Sequence, residues 1–410
     1  MPTSDLPSWL ARIQAQHPHS IELELSRIAT VATKMGIGSF HCPVIVVGGT
    51  NGKGSCVTLL AAIYRQLGYH VGHYTSPHLF QFNERICIDE QPVSDQQLMA
   101  AFDWIEQQRH PTTLTFFEFT TLAALWIFQQ ATLDVVILEV GLGGRLDAVN
   151  LVDADVSIIT NVALDHCAWL GTDRNAIAYE KAGIMRAQQP VLFGEVNVPS
   201  AITQQAQQIG ASLLVLGNHM QTRVQSTHWE LDWQGNTYVL PAASLNPESV
   251  FLAATAVLIL AQRLPFTWSI VQQAVANTRL PGRQQHCGAY LFDVAHNPAA
   301  AQRLSEWVAA NKSSGRLYAV FGCCADKDVG GILNPLVRWV DHWFIAPFAD
   351  ERSASMEQLQ RGIADLTVQY TLGQNLEEVT RQAQMQLTLN DQLLIFGSFH
   401  TVEEVYPLVV

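Results

Sequence analysis

Short apolar runs of β-forming residues alternate with longer stretches of helical periodicity along almost the whole chain. Five runs predict buried strands: "PVIVVGG" (43–49), "HVGHYT" (70–75), "DVVILEV" (134–140), "DVSIITN" (155–161) and "QPVLFGE" (189–195). Between them the spacing predicts helices over 55–67, 95–108, 117–130 and 173–185. Strand and helix in succession imply crossover connections, and hence an α/β fold with a mainly parallel sheet. Residues 211–240 change the rhythm, with short strands and turn signals such as "WQGN" that predict an antiparallel side sheet. Helical patterns at 247–263 and 268–278 follow. The Pro-Gly pair of "LPGR" (280–283) then breaks the pattern. After it a second α/β series begins, with strands at 289–295, 316–322, 341–347 and 391–397 and a helix from Pro298. The expected architecture is a P-loop ATPase-type domain with a mainly parallel sheet over 1–284. A smaller, Rossmann-like α/β domain is expected over 285–410.

Composition narrows the class of partner. With 410 residues, 48% of them hydrophobic and 14% charged, the chain can fill two sizeable cores. Its net charge of −13 excludes nucleic acid or an anionic membrane as the main partner, since no basic surplus exists to neutralise phosphates. Binding ATP would then need local devices: backbone N–H groups, a few cations and a divalent metal. The seven cysteines lack metal-like spacing, Cys323 and Cys324 being the only close pair, and read as reduced thiols. No signal-peptide pattern opens the chain, and the longest apolar run, near 251–261, suits a core helix. A cytoplasmic monomer is expected.

The stretch "VVGGTNGKGS" (46–55) resembles a phosphate loop, yet Gly54 stands between Lys53 and Ser55 where the usual pattern has Ser or Thr directly after Lys. Its setting is informative. A buried strand runs into glycines and an apolar-periodic helix begins at Ser55, so consecutive N–H groups and the positive end of a helix dipole face one point. Similar signals follow the next strands. Ser76 lies in "TSPHLFQFNER" and Glu139 opens "EVGLGGRLDAVN"; both offer oxygen, which suits Mg²⁺. Asp165 and His166 lie in "ALDHCAWLG", and Lys181 lies in "YEKAGIM". Taken singly, His166 reads as a structural histidine and Lys181 as a solvated helix residue. Delivered together to the carboxyl edge of a parallel sheet, where ligands bind, they are hard to explain as packing. "GLGG" does not meet the dinucleotide fingerprint, because Leu146 occupies the third-glycine place.

The ordered set "GTNGKGS", "TSPHL", "LEVGLGGRLDAVN", "ALDH", "EKAGI", "LPGR", "DVAHNP", "DKD" and "FGSFH" resembles the Mur-ligase superfamily. Within it the set is similar to the bacterial bifunctional dihydrofolate synthase/folylpolyglutamate synthases, from about residue 20 to about residue 402. In that family the glycine after the loop lysine is normal. The resemblance implies that Thr50, Asn51, Gly52, Lys53, Gly54 and Ser55 hold the ATP phosphates. It also implies that Ser76, Glu139 and His166 hold two Mg²⁺ ions, with Lys181 carbamylated as a further ligand and a monovalent cation nearby. Lys53, Lys181 and His166 would be the catalytic groups. Arg283, Asp293, His296 and Asn297 would contact the nucleotide from the hinge and the C-terminal domain, which would close over it. The pterin would lie near Leu23, Thr115, Phe116, Phe117, Leu146, Asp147 and Ala148.

Two positions depart from the family pattern: Glu24 stands where a glycine is common, and Phe251 or Leu252 stands where many relatives place a nucleotide-contacting Asn. The implied reaction joins L-glutamate to dihydropteroate, and to the γ-carboxylate of reduced folates, through an acyl phosphate. The alternatives are a peptidoglycan Mur ligase, a monofunctional folylpolyglutamate synthase and a non-catalytic nucleotide-regulated module. Only about forty residues precede the loop, which disfavours a separate UDP-binding domain.

Overall fold

The computed structural model describes residues 5–19 and 21–410, which divide into two compact units, Met1–Thr278 and Arg279–Val410. The break falls a few residues before the Pro-Gly signal. Gly282 accepts a bond from the Val294 N–H and donates its own N–H to Gln285, so "LPGR" is tied to the second unit.

The first unit is built on an eight-stranded sheet. Its strands are β1 (Val44–Gly48), β2 (Val71–Tyr74), β3 (Ile86–Ile88), β4 (Gln91–Pro92), β5 (Val135–Glu139), β6 (Val156–Ile159), β7 (Pro190–Phe193) and β8 (Ser212–Val215). The spatial order is β4-β3-β2-β5-β1-β6-β7-β8. From β2 to β8 across that order all neighbours are parallel, while β3 and β4 form an antiparallel edge hairpin. β1, β5 and β6 are buried at every position, as continuous apolar runs in a doubly covered sheet should be. β1 is the switch point. The chain leaves it toward β2 on one side and later returns to β6 on the other, so the loop after β1 opens into the crevice where such folds bind ligands.

One sequence expectation needs correcting. The run 211–240 is not wholly a side sheet, because β8 joins the main sheet in parallel with β7. The three remaining strands, β9 (Gln221–Val224), β10 (His228–Trp233) and β11 (Asn236–Pro241), make the antiparallel side sheet. Gln234 and Gly235 connect β10 to β11 with φ of 48° and 81°, the left-handed pair that a two-residue type I′ hairpin requires. The helix expected over 173–185 is also shorter, Arg174–Ala182, with Gly183 at its C-cap.

The second unit carries a six-stranded sheet: β12 (Gln285–Cys287), β13 (Tyr290–Phe292), β14 (Leu317–Phe321), β15 (His342–Ile345), β16 (Tyr370–Leu372) and β17 (Gln392–Phe396). Its order is β12-β13-β17-β14-β15-β16, parallel except for the short strand β12.

Candidate active site

The loop after β1 is held by the strand end beside it. Asn161, which follows β6, accepts the Thr50 N–H on its backbone oxygen at 3.0 Å and the Asn51 N–H on its side chain at 2.9 Å. Its amide and the Thr160 hydroxyl both donate to the Asn51 carbonyl. The N–H groups of Thr50 and Asn51 are thus engaged inside the protein. The donors that remain for an anion are those of Gly52, Lys53, Gly54 and Ser55, the N-cap and first turn of helix Lys53–Gln66, which have no intrahelical acceptor. Gly49 has no alternative at its position: φ is 137°, and a Cβ there would lie 1.9 Å from the Thr160 hydroxyl. Lys53 folds back over the loop, donating to the Gly49 and Thr50 carbonyls at 3.1 Å each.

Glu139, at the end of β5, is buried and pairs in register with Val47 of β1. Its Oε2 accepts the Ser76 N–H at 3.1 Å and lies within 3.5 Å of where a Gly54 Cβ would stand. The structure therefore brings Ser76, Glu139 and the loop together, as the sequence predicts. A carboxylate oxygen at this point is a donor suited to a hard divalent cation, and Ser76 is the residue whose backbone holds it. Among the described residues no three His, Cys, Asp or Glu side chains form a metal cage. A cation here would be completed by water and phosphate oxygens, which is the habit of Mg²⁺.

Segment 160–166 is clamped on both sides. The Thr50 hydroxyl bonds both backbone groups of Ala163, while Arg174 and Glu195 take the carbonyl and N–H of Val162 at 2.9 and 2.8 Å. Arg174 and Glu195 also pair with each other at 2.7 Å. Three residues on, His166 sits in the left-handed region (φ 50°), with its N–H on Asp165 at 2.8 Å. Lys181, on helix Arg174–Ala182, is almost wholly buried. Burial pulls its ammonium down to about 7, and Lys53 pushes the same way; Asp165 and Asp147 act against the shift. These four groups are near enough to act on one another's charge. Asp147 is buried as well, and its carboxyl is raised to about 6 by burial despite backbone bonds from Leu142 and Val149. The approach of segment 144–147 to helix Arg174–Ala182 has a packing cause. Arg145 donates its N–H to the Glu180 carbonyl at 2.7 Å, and a Cβ on Gly144 would come within 2.9 Å of that oxygen.

Other predicted pterin residues lie at the start of helix Phe116–Gln130, which packs against the 3₁₀ turn Ala148–Leu151. Thr115 caps helix Phe116–Gln130 in a capping box with Glu118. The Phe117 ring packs on Tyr74 (6.0 Å between centroids) and closes over Gly141, where a Cβ would lie 2.5 Å from it. Leu23 packs against the core, partly buried. Leu146 is half-buried, and Ala148, buried, opens the 3₁₀ turn that Asp147 caps. Two contacts here were not foreseen. The Arg85 guanidinium lies 5.5 Å from the Phe116 ring centre, and Arg27 donates to the buried Glu118 at 3.0 Å. The second links the segment around Leu23 to the helix that Thr115 caps. It joins positions 91 residues apart, so local pattern could not reveal it.

In the second unit Asp293, after β13, accepts from the Gln284 and Ala295 N–H groups at 3.0 and 2.8 Å. Burial raises its carboxyl, and Arg283 works against that shift. The Arg283 guanidinium stacks 4.8 Å from the Phe399 ring centre. His296 holds the Val294 carbonyl through Nδ1, and Asn297 is the buried N-cap of helix Pro298–Asn311.

The Mur ligase middle domain family matches residues 47–252, and the Mur ligase glutamate ligase domain family matches residues 279–399. The dihydrofolate synthase/folylpolyglutamate synthase of Escherichia coli (strain K12) is 40% identical over 414 residues, covering 99% of this chain and 96% of the relative. The chain belongs to the dihydrofolate synthase/folylpolyglutamate synthase family of Mur ligases. The Haemophilus influenzae member is 37% identical, covering 99% of this chain and 98% of its own length. Among solved members of the family, Escherichia coli FolC in complex with DHPP and ADP matches with a TM-score of 0.95 at 39% identity. That match covers 100% of this chain and 98% of the other. The Yersinia pestis family member complexed with AMPPNP and Mn ion matches with a TM-score of 0.93 at 38% identity, covering 100% and 99%.

Proposed function

We propose that this chain is an ATP-dependent ligase that joins L-glutamate to dihydropteroate and to the γ-carboxylate of reduced folates. The observation that carries the reading is the Glu139 carboxylate, held by the Ser76 N–H directly beside the first turn of the loop helix. That pairing sets an oxygen ligand for a divalent metal next to a phosphate cradle. The solved relatives support it, since members of the family were obtained with ADP, with AMPPNP and Mn ion, and with L-glutamate.

In this reading the N–H groups of residues 52–55 and the Lys53 ammonium cradle the β- and γ-phosphates. Ser76, Glu139 and His166 would hold Mg²⁺, which neutralises phosphate charge when bound. The acceptor carboxylate attacks the γ-phosphorus, giving an acyl phosphate and ADP. The glutamate amine then attacks the acyl carbon, and the tetrahedral adduct expels inorganic phosphate as the amine sheds a proton. Lys181, buried and shifted toward the neutral amine, can add CO₂ to become an anionic carbamate. Arg85, Thr115, Phe116, Phe117 and Asp147 are the groups we assign to the pterin, with Leu23, Leu146 and Ala148 as its apolar wall. In the second unit Arg283, Asp293, His296 and Asn297 are assigned to the nucleotide.

The test is ADP formation with glutamate plus either dihydropteroate or tetrahydrofolate, run side by side, with UDP-muramoyl acceptors as controls. Turnover with both pterins supports the bifunctional reading. Turnover with one alone makes the enzyme monofunctional, and turnover only with UDP-muramoyl compounds overturns the proposal.

A further inference from the structure

Helix Pro247–Ile259 is apolar along almost its whole length and buried from Ser249 to Val257. It contains two hydroxyl groups, and they are used differently. Thr255 bonds back to the Phe251 carbonyl within its own helix. Ser249 reaches outward instead and donates to the Gly52 carbonyl of the loop at 3.2 Å. Asn246 prepares that reach: as N-cap it accepts the Ser249 N–H at 2.7 Å, which fixes the first turn from which the hydroxyl projects. Asn246 also stands over Gly52, where a Cβ would lie 3.4 Å from its Nδ2 and 3.0 Å from the Ser249 hydroxyl.

The Gly52 carbonyl is the pivot of the cradle. It accepts from the Cys56 N–H at 3.0 Å as the first bond of the loop helix, and from Ser249 at the same time. A peptide unit is planar, so a carbonyl fixed at one end fixes the opposed N–H at the other. That N–H is Lys53's, one of those turned toward the anion position. Gly52 itself is in the left-handed region (φ 84°, ψ 0°) and has no side chain to hold its peptide plane. The restraint therefore has to come from outside the loop.

We infer that Ser249 is a positioning residue for the phosphate loop, held in place by Asn246, and that it sets the affinity of the site for nucleotide. The inference rests on reading the loop as the ATP site, and the experiment separates the two. Ser249→Thr and Ser249→Val share a shape and differ in the hydroxyl; Ser249→Ala removes the hydroxyl without adding bulk should the branched pair fold poorly. Mg-ATP binding is measured by calorimetry without pterin or glutamate, and KM is then measured for each substrate. The hydroxyl-free variants should bind ATP about five- to tenfold more weakly than Ser249→Thr, as loss of one buried hydrogen bond predicts. KM for ATP should rise by the same factor, with kcat and the other two KM values unchanged. Equal ATP affinity in the variants with and without the hydroxyl overturns the inference, as does a parallel rise in all three KM values. Failure of the wild-type protein to bind Mg-ATP would instead overturn the reading of the loop.

Discussion

The Thr50 hydroxyl holds both backbone groups of Ala163, donating to the carbonyl at 3.2 Å and accepting from the N–H at 3.1 Å. One side chain of the phosphate loop thereby fastens the segment that carries Asp165 and His166. Thr50→Val keeps the shape and strands both groups of Ala163. We expect a loss of about 1–3 kcal/mol by urea unfolding, with weaker Mg²⁺ and ATP binding, and recovery of both in Thr50→Ser. A Val variant indistinguishable from wild type would show that the two segments are not coupled this way.

Glu139→Gln keeps the acceptor for the Ser76 N–H and removes the charge. The fold should survive, because a side-chain carbonyl can still take that bond. Ligation should fall on the order of a hundredfold, with the Mg²⁺ requirement moved to higher concentration. Magnesium titrations of ADP formation would check this; an unchanged midpoint would remove Glu139 from the metal.

The buried ionisable groups predict how stability varies with pH. Lys181 titrates at about 7 in the fold against 10.5 for a free side chain, chiefly because it is buried. Between those values the unfolded chain binds the extra proton, so the contribution of Lys181 makes stability rise with pH there. Below about 7 both states are charged and the fold bears the full cost. Asp147 acts in the opposite sense over a lower range: raised from 3.8 to about 6, it makes stability fall as pH rises between those values. Lys181→Met should flatten the alkaline rise, leave the protein at least as stable at pH 7, and abolish ligation. Urea unfolding across pH in CO₂-free buffer reads the first two effects and ADP formation the third. A persistent alkaline rise in the Met variant would assign it to another group.

Removing Arg27 leaves the buried Glu118 carboxylate without its cation, though Glu118 still accepts from the Thr115 N–H. Arg27→Gln should cost about 1.5–3 kcal/mol, the range for hydrogen bonds to charged groups. Because the pair anchors the segment around Leu23, KM for the pterin should rise while KM for ATP holds. Equal changes in both would mean the pair serves stability alone.

The parts of this site that lie at strand ends were legible in the chain, because a strand, a glycine turn and a helix start are all local signals. Ser76 and Glu139 could be singled out for that reason, whereas Lys181 lies near the C-terminal end of helix Arg174–Ala182. The supports beneath them could not. Ser249 meets Gly52 across 197 positions, and Arg174 meets Glu195 across 21, with no periodicity to announce either. The Asn-Pro pair at 246–247 does mark the start of the helix expected from residue 247, but nothing local shows that its Ser249 faces the loop. β8 was misplaced for a related reason: a four-residue strand carries no sign of which sheet it will enter.

The Gln234–Gly235 hairpin tip is surrounded by open space, with nothing within 4 Å of a Cβ at Gly235. Its ladder is pinned from within by Arg223, which bridges Glu230 and Asp232. A peptide tag or fluorophore spliced there would hang on a ribbon outside the main sheet, a ribbon anchored by Trp229 on Phe251 and by Trp268 bonding the Val239 carbonyl. That offers a handle for surface immobilisation or single-molecule observation that leaves the loop after β1 untouched.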